Sequence, residues 1–234
     1  MKEILLEINH DETGKFISRP NRYLAEIEVN GVIELVHVHD PGRLKELLLP
    51  GAKVYIKSAA NPARKTRWDL IAVENKGEIV LLNSAYHRYI AEAYLKNFKI
   101  SKFGAYDYIK AEAKYKDSRL DFYLEKGEEK VWIEVKGCTL TVGNAAMFPD
   151  APTKRGLKHL RELEELSREN TAAILILVFR KSEYFTPNFE TDPEFSKKLI
   201  EISKSNVGVY PIQLEFSNGK IYYRGTLPLH AENS

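Results

Sequence analysis

Asp121 and the run Glu134-Val135-Lys136 are the residues of this chain best suited to chemistry, because a β-hairpin would bring them together. Residues 119–125 alternate, with Leu120, Phe122 and Leu124 on one face and Asp121 and Tyr123 on the other. Residues 130–136 alternate too, with Val131, Ile133 and Val135 facing away from Trp132, Glu134 and Lys136. The polar stretch Lys126-Gly127-Glu128-Glu129 lies between them. A two- or four-residue loop there sets Tyr123 opposite Trp132 and Asp121 opposite Glu134. Carboxylates facing each other across a ladder repel, so positive charge belongs between them: Lys136, a metal ion or both. The bland reading of any single D…ExK match is the solvated face of an amphipathic hairpin. Against it stand the Trp/Ile/Val-rich strand running into Gly137-Cys138, the pairing of the carboxylates in the natural register, and the character of the chain downstream.

That downstream segment predicts a helix from Thr153 to about Glu169 whose first turns carry Lys154, Arg155, Lys158 and His159. Positive charge at the positive end of a helix dipole is unfavourable, and Gly156 is a poor helix former. A phosphate held by the free N–H groups of that terminus reconciles the pattern. The alternative is that these cations are solvated or paired with Glu162, Glu164 and Glu165. A second basic stretch spans 41–68, where Arg43, Lys45, Lys53, Lys57, Arg64, Lys65 and Arg67 face one acid, Glu46. A local basic excess in a chain of net charge +2 is the footprint of a polyanion site, or a solvated basic face.

The elements that must position these residues fall into two regions. Residues 1–82 read as short strands at 3–8, 23–29, 32–39, 53–58, 70–74 and 79–82, with turn signals at Asn30-Gly31 and Lys76-Gly77. Residues 43–49, between Pro41-Gly42 and Pro50-Gly51, read as one short helix. Strands with a single interposed helix suggest a small OB-like β-barrel, and the basic excess within it is what makes residues 1–82 a candidate nucleic-acid-binding domain. Residues 83–234 change period: a helix at 83–97, strands at 106–115, 119–125 and 130–136, the helix from Thr153, a doubly buried strand at 171–180, a helix started by Asp192-Pro193, and closing strands at 207–216 and 221–227. The second region is therefore α/β with a mixed central sheet and helices on both sides, and the whole chain is α+β.

Composition bounds the rest. A chain of 234 residues, 44% hydrophobic, builds one large domain or two small ones. Its longest apolar run, 172–179, is too short to span a bilayer, and the N-terminal residues carry no secretory pattern. One cysteine rules out an internal disulfide framework, and no zinc-ligand spacing occurs. The expectation is a cytoplasmic protein with no membrane partner.

Several stretches resemble the sugar fermentation stimulation protein A family. They are Ser118-Arg-Leu-Asp-Phe122, Glu134-Val-Lys-Gly137, Phe148-Pro-Asp-Ala-Pro-Thr-Lys-Arg-Gly156 and His159-Leu160, with Arg19-Pro-Asn-Arg22, Pro41-Gly42-Arg43 and Arg64-Lys65-Thr66 nearer the N-terminus. The resemblance covers nearly the whole chain. It implies an OB-like domain followed by a restriction-endonuclease-like (D…ExK) α/β domain, in a DNA-binding protein with a proposed regulatory role. The chain departs from the wider nuclease pattern in having Leu120, not Pro, before Asp121. The resemblance further implies Asp121 and Glu134 as metal ligands and Lys136 as general base or transition-state cation. Mg²⁺ or Mn²⁺ suits two carboxylates, and the Val135 backbone C=O would be a third oxygen. Such folds often add an acid from the first helix, for which Glu92 is the candidate.

The residues expected to meet DNA phosphates are Arg19, Arg22, Arg43, Arg64, Lys65, Arg67, Lys154, Arg155 and His159. Trp68 reads as either a base-stacking platform or core, Cys138 as a small buried residue, and His37 and His39 as structural. Three functions remain open. One is a DNA-binding protein that hydrolyses phosphodiesters through a metal-activated water; another is a non-catalytic DNA-binding transcriptional regulator of sugar metabolism. The third, a phosphate-ester enzyme for small molecules, is disfavoured by the extended basic stretch. The sequence leaves duplex versus single strand, DNA versus RNA and oligomeric state open.

Overall fold

In the computed structural model, residues 3–40, 42–61 and 63–231 are described. Pro41, at the head of one family-like motif, lies outside them. The chain divides into two compact units. One runs through Tyr86 and takes back Leu214–Arg224; the other holds His87–Gln213 and resumes at Gly225. Sequence reading had placed 214–224 with the second region and drawn the boundary after residue 82.

The first unit contains β1 (Glu3–Glu7), β2 (Glu12–Asn21), β3 (Leu24–Val29), β4 (Val32–His37), β5 (Lys53–Ser58), β6 (Trp68–Asn75) and β7 (Glu78–Leu81). Hydrogen bonding runs β4-β3-β2-β5-β6, and β4 returns to pair with β6 in parallel at Val36–Trp68, closing a five-stranded barrel of OB type. Alternation explains the interior: Ala25, Ile27 and Val29 of β3 and Val54 and Ile56 of β5 are buried. Burial of each larger aliphatic side chain contributes roughly 1.5–3 kcal/mol. Lys220–Tyr223 of the returning segment pairs with β1, and Phe216 pairs with Ile79.

Two expectations fail in this unit. The strand β2, central to the barrel, is not visible in the sequence because Gly14 and Pro20 interrupt it. Gly14 is required, since a Cβ there would lie 2.5 Å from Ile27 Cγ2 and 2.7 Å from the Glu28 carbonyl oxygen. Pro20 is tolerated because the β2–β3 ladder shifts register between Ser18 and Asn21. The helix expected at 43–49 does not form. Leu44 adopts φ +49°, which ends any helical run at its start, and the segment is a turn whose Leu44, Leu47 and Leu48 are buried.

The second unit contains α1 (His87–Lys96), β8 (Tyr108–Tyr115), β9 (Ser118–Lys126), β10 (Glu129–Cys138), β11 (Leu140–Val142), β12 (Ala145–Phe148), α2 (Lys154–Leu166), β13 (Thr171–Val178), β14 (Tyr184–Pro187), α3 (Pro193–Ser203) and β15 (Val207–Ser217) as far as Gln213; the end of β15 and most of β16 (Lys220–Thr226) belong to the first unit. Its sheet runs β15-β13-β10-β9-β8; β15, β13 and β10 are parallel, and β9 and β8 antiparallel. Glu134 of β10 meets α2 through His159, while Gly137, on the opposite face by alternation, packs against His87 of α1. Helices thus cover both faces. The short strands β11, β12 and β14 form a separate three-stranded sheet.

Asp192 organises the helix starts. One carboxylate oxygen caps α3 by accepting from Phe195 N at 3.0 Å, and the other accepts from Thr153 N at 2.8 Å. Thr153 in turn caps α2, accepting from Gly156 N at 3.0 Å. Gly156 fits because a Cβ there would crowd the Thr153 side chain at 2.8 Å and Phe195 at 3.1 Å. The α2 terminus is therefore capped from within, and its glycine serves close packing against α3.

Candidate functional site

The hairpin of β9 and β10 turns on two residues, Gly127 and Glu128, with Gly127 at φ +59°. Tyr123 pairs with Trp132, and the ladder ends at Phe122–Ile133, one step before the two carboxylates. There the Asp121 side chain replaces a backbone acceptor: its Oδ2 takes the Val135 N–H at 2.7 Å. Val135 thus contributes its amide to the cluster, as a clamp on Asp121.

Glu134 is 2% exposed. Its Oε1 is hydrogen-bonded by Lys136 Nζ, two residues along the same strand face, and by His159 Nδ1 from the second turn of α2. Its Oε2 is buried with no hydrogen-bond partner among the described residues. Burial opposes ionisation of Glu134, but the His159 hydrogen bond and the Lys136 cation prevail and hold its pKa below the usual value. Asp121 behaves oppositely. Burial and the neighbouring Glu134 charge push its pKa up from 3.8 to about 6, against the Val135 hydrogen bond and the Lys136 and His159 charges. Two carboxylates with pKa values driven apart, one of them carrying an orphaned buried oxygen, form a strong local demand for a cation. Both offer hard oxygen donors, the chemistry of Mg²⁺, Mn²⁺ or Ca²⁺, so the residues fit such an ion.

Beyond the cluster, several expected contacts are redirected. His159, expected on DNA, is 3% exposed and spent on Glu134; a buried imidazole bonded to a carboxylate orients it. Glu92 does not join: its Oε1 accepts from Lys96 at 2.6 Å, and none of its described contacts reaches the cluster. Arg19 donates to the carbonyls of Arg22, Asp40, Gly42 and Arg43 and so fastens the turn after β4. Arg64 is held by both oxygens of Asp69 at 2.8 and 3.2 Å and by Thr66. Arg22, Arg43, Lys65 and Arg67 are exposed in the first unit, and Lys154 and Arg155 in the second. Trp68 is buried under Arg67, whose guanidinium carbon lies 5.1 Å from the ring centroid, so it belongs to the core. Cys138 is buried, with Sγ 3.2 Å from the Met147 carbonyl oxygen.

His87 escaped the sequence reading. Its ring stacks on Phe179 with centroids 5.0 Å apart and fills the space that a Gly137 side chain would need, with Cε1 2.2 Å from a built Cβ. The residue as a whole keeps some exposure, but dense packing around the ring, with Lys136 nearby, pushes its pKa down to about 4. The Gly137 that follows the ExK run was its only sequence signal.

A closed OB-type barrel and a mixed α/β sheet with a D…ExK cluster on adjacent strands define a two-domain protein of the OB plus restriction-endonuclease-like class. Comparison agrees: residues 17–82 match the SfsA N-terminal OB domain, and residues 85–220 match the sugar fermentation stimulation protein RE domain. A sugar fermentation stimulation protein homolog from Thermosipho melanesiensis is 46% identical over 226 residues, 96% of this chain and 97% of that one. Another, from Methanococcoides burtonii, is 40% identical over 98% of this chain and 96% of its own. The structure of Pyrococcus furiosus SfsA in complex with Ca²⁺ superposes with a TM-score of 0.90 at 28% identity, covering 97% of this chain and 99% of that one. The chain belongs to the sugar fermentation stimulation protein (SfsA) family. No helix among the described residues is long and apolar enough to cross a membrane.

Proposed function

We propose that this protein binds DNA and hydrolyses phosphodiester bonds at Asp121, Glu134 and Lys136 with a divalent cation, Mg²⁺ or Mn²⁺. The observation that carries the reading is Glu134 Oε2, buried and unpartnered beside an Asp121 whose carboxyl is pushed up to about 6. The Ca²⁺ in the Pyrococcus furiosus relative supports it, since Ca²⁺, Mg²⁺ and Mn²⁺ share oxygen ligands. Asp121 and Glu134 would hold the ion, which supplies Lewis-acid charge to a phosphoryl oxygen and to the attacking water.

The chain's own groups do the rest. The Val135 N–H fixes one Asp121 oxygen, and the other would be available to a cation. His159 and Lys136 fix Glu134 Oε1, which aims Oε2. His159 is therefore a positioning residue. Lys136, paired with Glu134, acts as a fixed cation beside the negative charge that builds on phosphorus-bound oxygen in the transition state. The domain boundary after residue 82, with a nucleic-acid-binding barrel before it, belongs to the same proposal, as does a cytoplasmic location.

A second reading, the non-catalytic DNA-binding regulator, draws on the small ligand set. Among the described residues no three His, Cys, Asp or Glu side chains cluster to hold a metal, and Lys136 and His159 already neutralise part of the site. Purified protein incubated with single-stranded, duplex and branched DNA and RNA decides between them. Cleavage with Mg²⁺ or Mn²⁺ that stops with chelator and in Lys136→Ala supports the nuclease. Binding without cutting on every substrate and with either metal supports the regulator.

A further inference from the structure

Beside the cluster lies a cleft of about 610 Å³ formed by the β8–β9 hairpin and the first turns of α2. Lys114, Lys116, Arg119, Arg155 and Lys158 line it, with Asp117 as the one acid among the exposed lining residues. Of the lining residues, Arg155 and the buried His159 are among those expected from sequence to meet DNA. The others lie on a hairpin with no family motif before Ser118, and on the second turn of α2.

Two features set this cleft apart from an ordinary solvated basic face. Lys114 and Arg119 are register partners across β8 and β9, like charges placed directly opposite one another, an arrangement that destabilises a hairpin unless an anion lies between them. Ion pairing leaves charge over: Lys116 is bound to Glu165, Arg119 lies 3.5 Å from Glu112 and Lys158 3.6 Å from Glu162, but Lys114 and Arg155 have no carboxylate partner among the described residues. The exposed pairs of Lys116 and Arg119 are of the weak kind that exchanges readily for a phosphate.

Position gives the cleft its meaning. Arg119 and Asp121 are two residues apart on one strand face, roughly 7 Å along β9. His159 closes the cleft on the side where it also holds Glu134. The axial rise per nucleotide is about 3.4 Å, and because the backbone winds round the axis neighbouring phosphates lie about twice as far apart, so that separation corresponds to about one nucleotide step.

We infer that this cleft is the phosphate-binding track of the second unit, gripping the backbone of the same nucleic-acid strand about one or two nucleotides from the phosphate at Asp121 and Glu134. The inference rests on the nucleic-acid reading of the site and adds where the strand is held. The main phosphate contact is then Lys114, Arg119 and Arg155, not the basic stretch of the barrel, where Arg19 and Arg64 are already engaged within the protein.

The test measures equilibrium binding of the full chain to labelled single-stranded and duplex oligonucleotides at several salt concentrations, in chelator so that no cleavage intervenes. Lys114 and Arg155 are exposed, so Lys114→Gln and Arg155→Gln should retain the wild-type melting temperature. The double variant should lose about tenfold or more in affinity at moderate salt, and the slope of log affinity against log salt should become shallower by about two. Lys65→Gln with Arg67→Gln should change the slope less. A folded Lys114→Gln/Arg155→Gln protein with the wild-type slope overturns the inference, and leaves the nuclease reading standing if wild type cleaves. Absence of binding to any nucleic acid at low salt overturns both.

Discussion

At the scale of single residues, the site is a set of carboxylates whose environments oppose each other. Asp121 carries a folded-state pKa of about 6 against 3.8 for the free group, so its charged form is disfavoured on folding. Its cost is absent below about pH 4, grows as pH rises toward and through 6, and is fully present above that. Asp121→Asn keeps an acceptor for the Val135 N–H while removing the charge. Without metal the variant should therefore melt higher than wild type at pH 8, by an amount corresponding to about 1–3 kcal/mol, and the difference should vanish near pH 4. Thermal melts across that range check it; an equal gap at both pH values would contradict the electrostatic account. His159→Ala tests the positioning role. Loss of the buried imidazole frees Glu134 Oε1, so metal affinity should fall about tenfold or more while DNA binding in chelator is unchanged. The Glu134–Lys136 pairing was legible from strand alternation; the His159 contact was not, because a helix residue's partner depends on how α2 docks on β10.

At the scale of elements, what sequence revealed was what local periodicity encodes. The β9–β10 hairpin, its Tyr123–Trp132 register and the Asp192-Pro193 start of α3 all followed from alternation and capping chemistry. β2 was hidden because its pairing tolerates Gly14 and Pro20 for tertiary reasons, and the 43–49 segment misled because leucine spacing matches a helix that Leu44 breaks. Arg19 and Arg64 looked like DNA contacts because sequence shows charge without showing which carbonyls or carboxylates lie within reach. Two expectations arise here. Asp192→Ala removes acceptors from two helix starts at once and should cost about 1–3 kcal/mol by denaturant unfolding, more than one ordinary cap. Gly137→Ala must displace the His87 ring, and should destabilise by about 1–3 kcal/mol through overpacking. A neutral Gly137→Ala would mean that α1 shifts freely against β10.

At the scale of the whole molecule, the sequence pointed to two units and to the family, and the chain's closing segment shows where such reading stops. Residues 214–224 follow the second unit in sequence but pack with the first, because β15 continues past Gln213 to pair at Phe216 with Ile79. Only long-range pairing, which periodicity does not report, decides that assignment. Among the described residues, Asp121 and Glu134 form a buried carboxylate pair short of compensating positive charge, the proposed divalent-cation site. The direct test is calorimetric titration of the 234-residue chain with Mn²⁺ near pH 7.5, beside Asp121→Ala. One ion should bind per chain in wild type, with almost no proton release because Asp121, with a pKa of about 6, is already ionised, and no ion should bind at this site in the variant. Equal Mn²⁺ affinity in the two proteins would contradict the account.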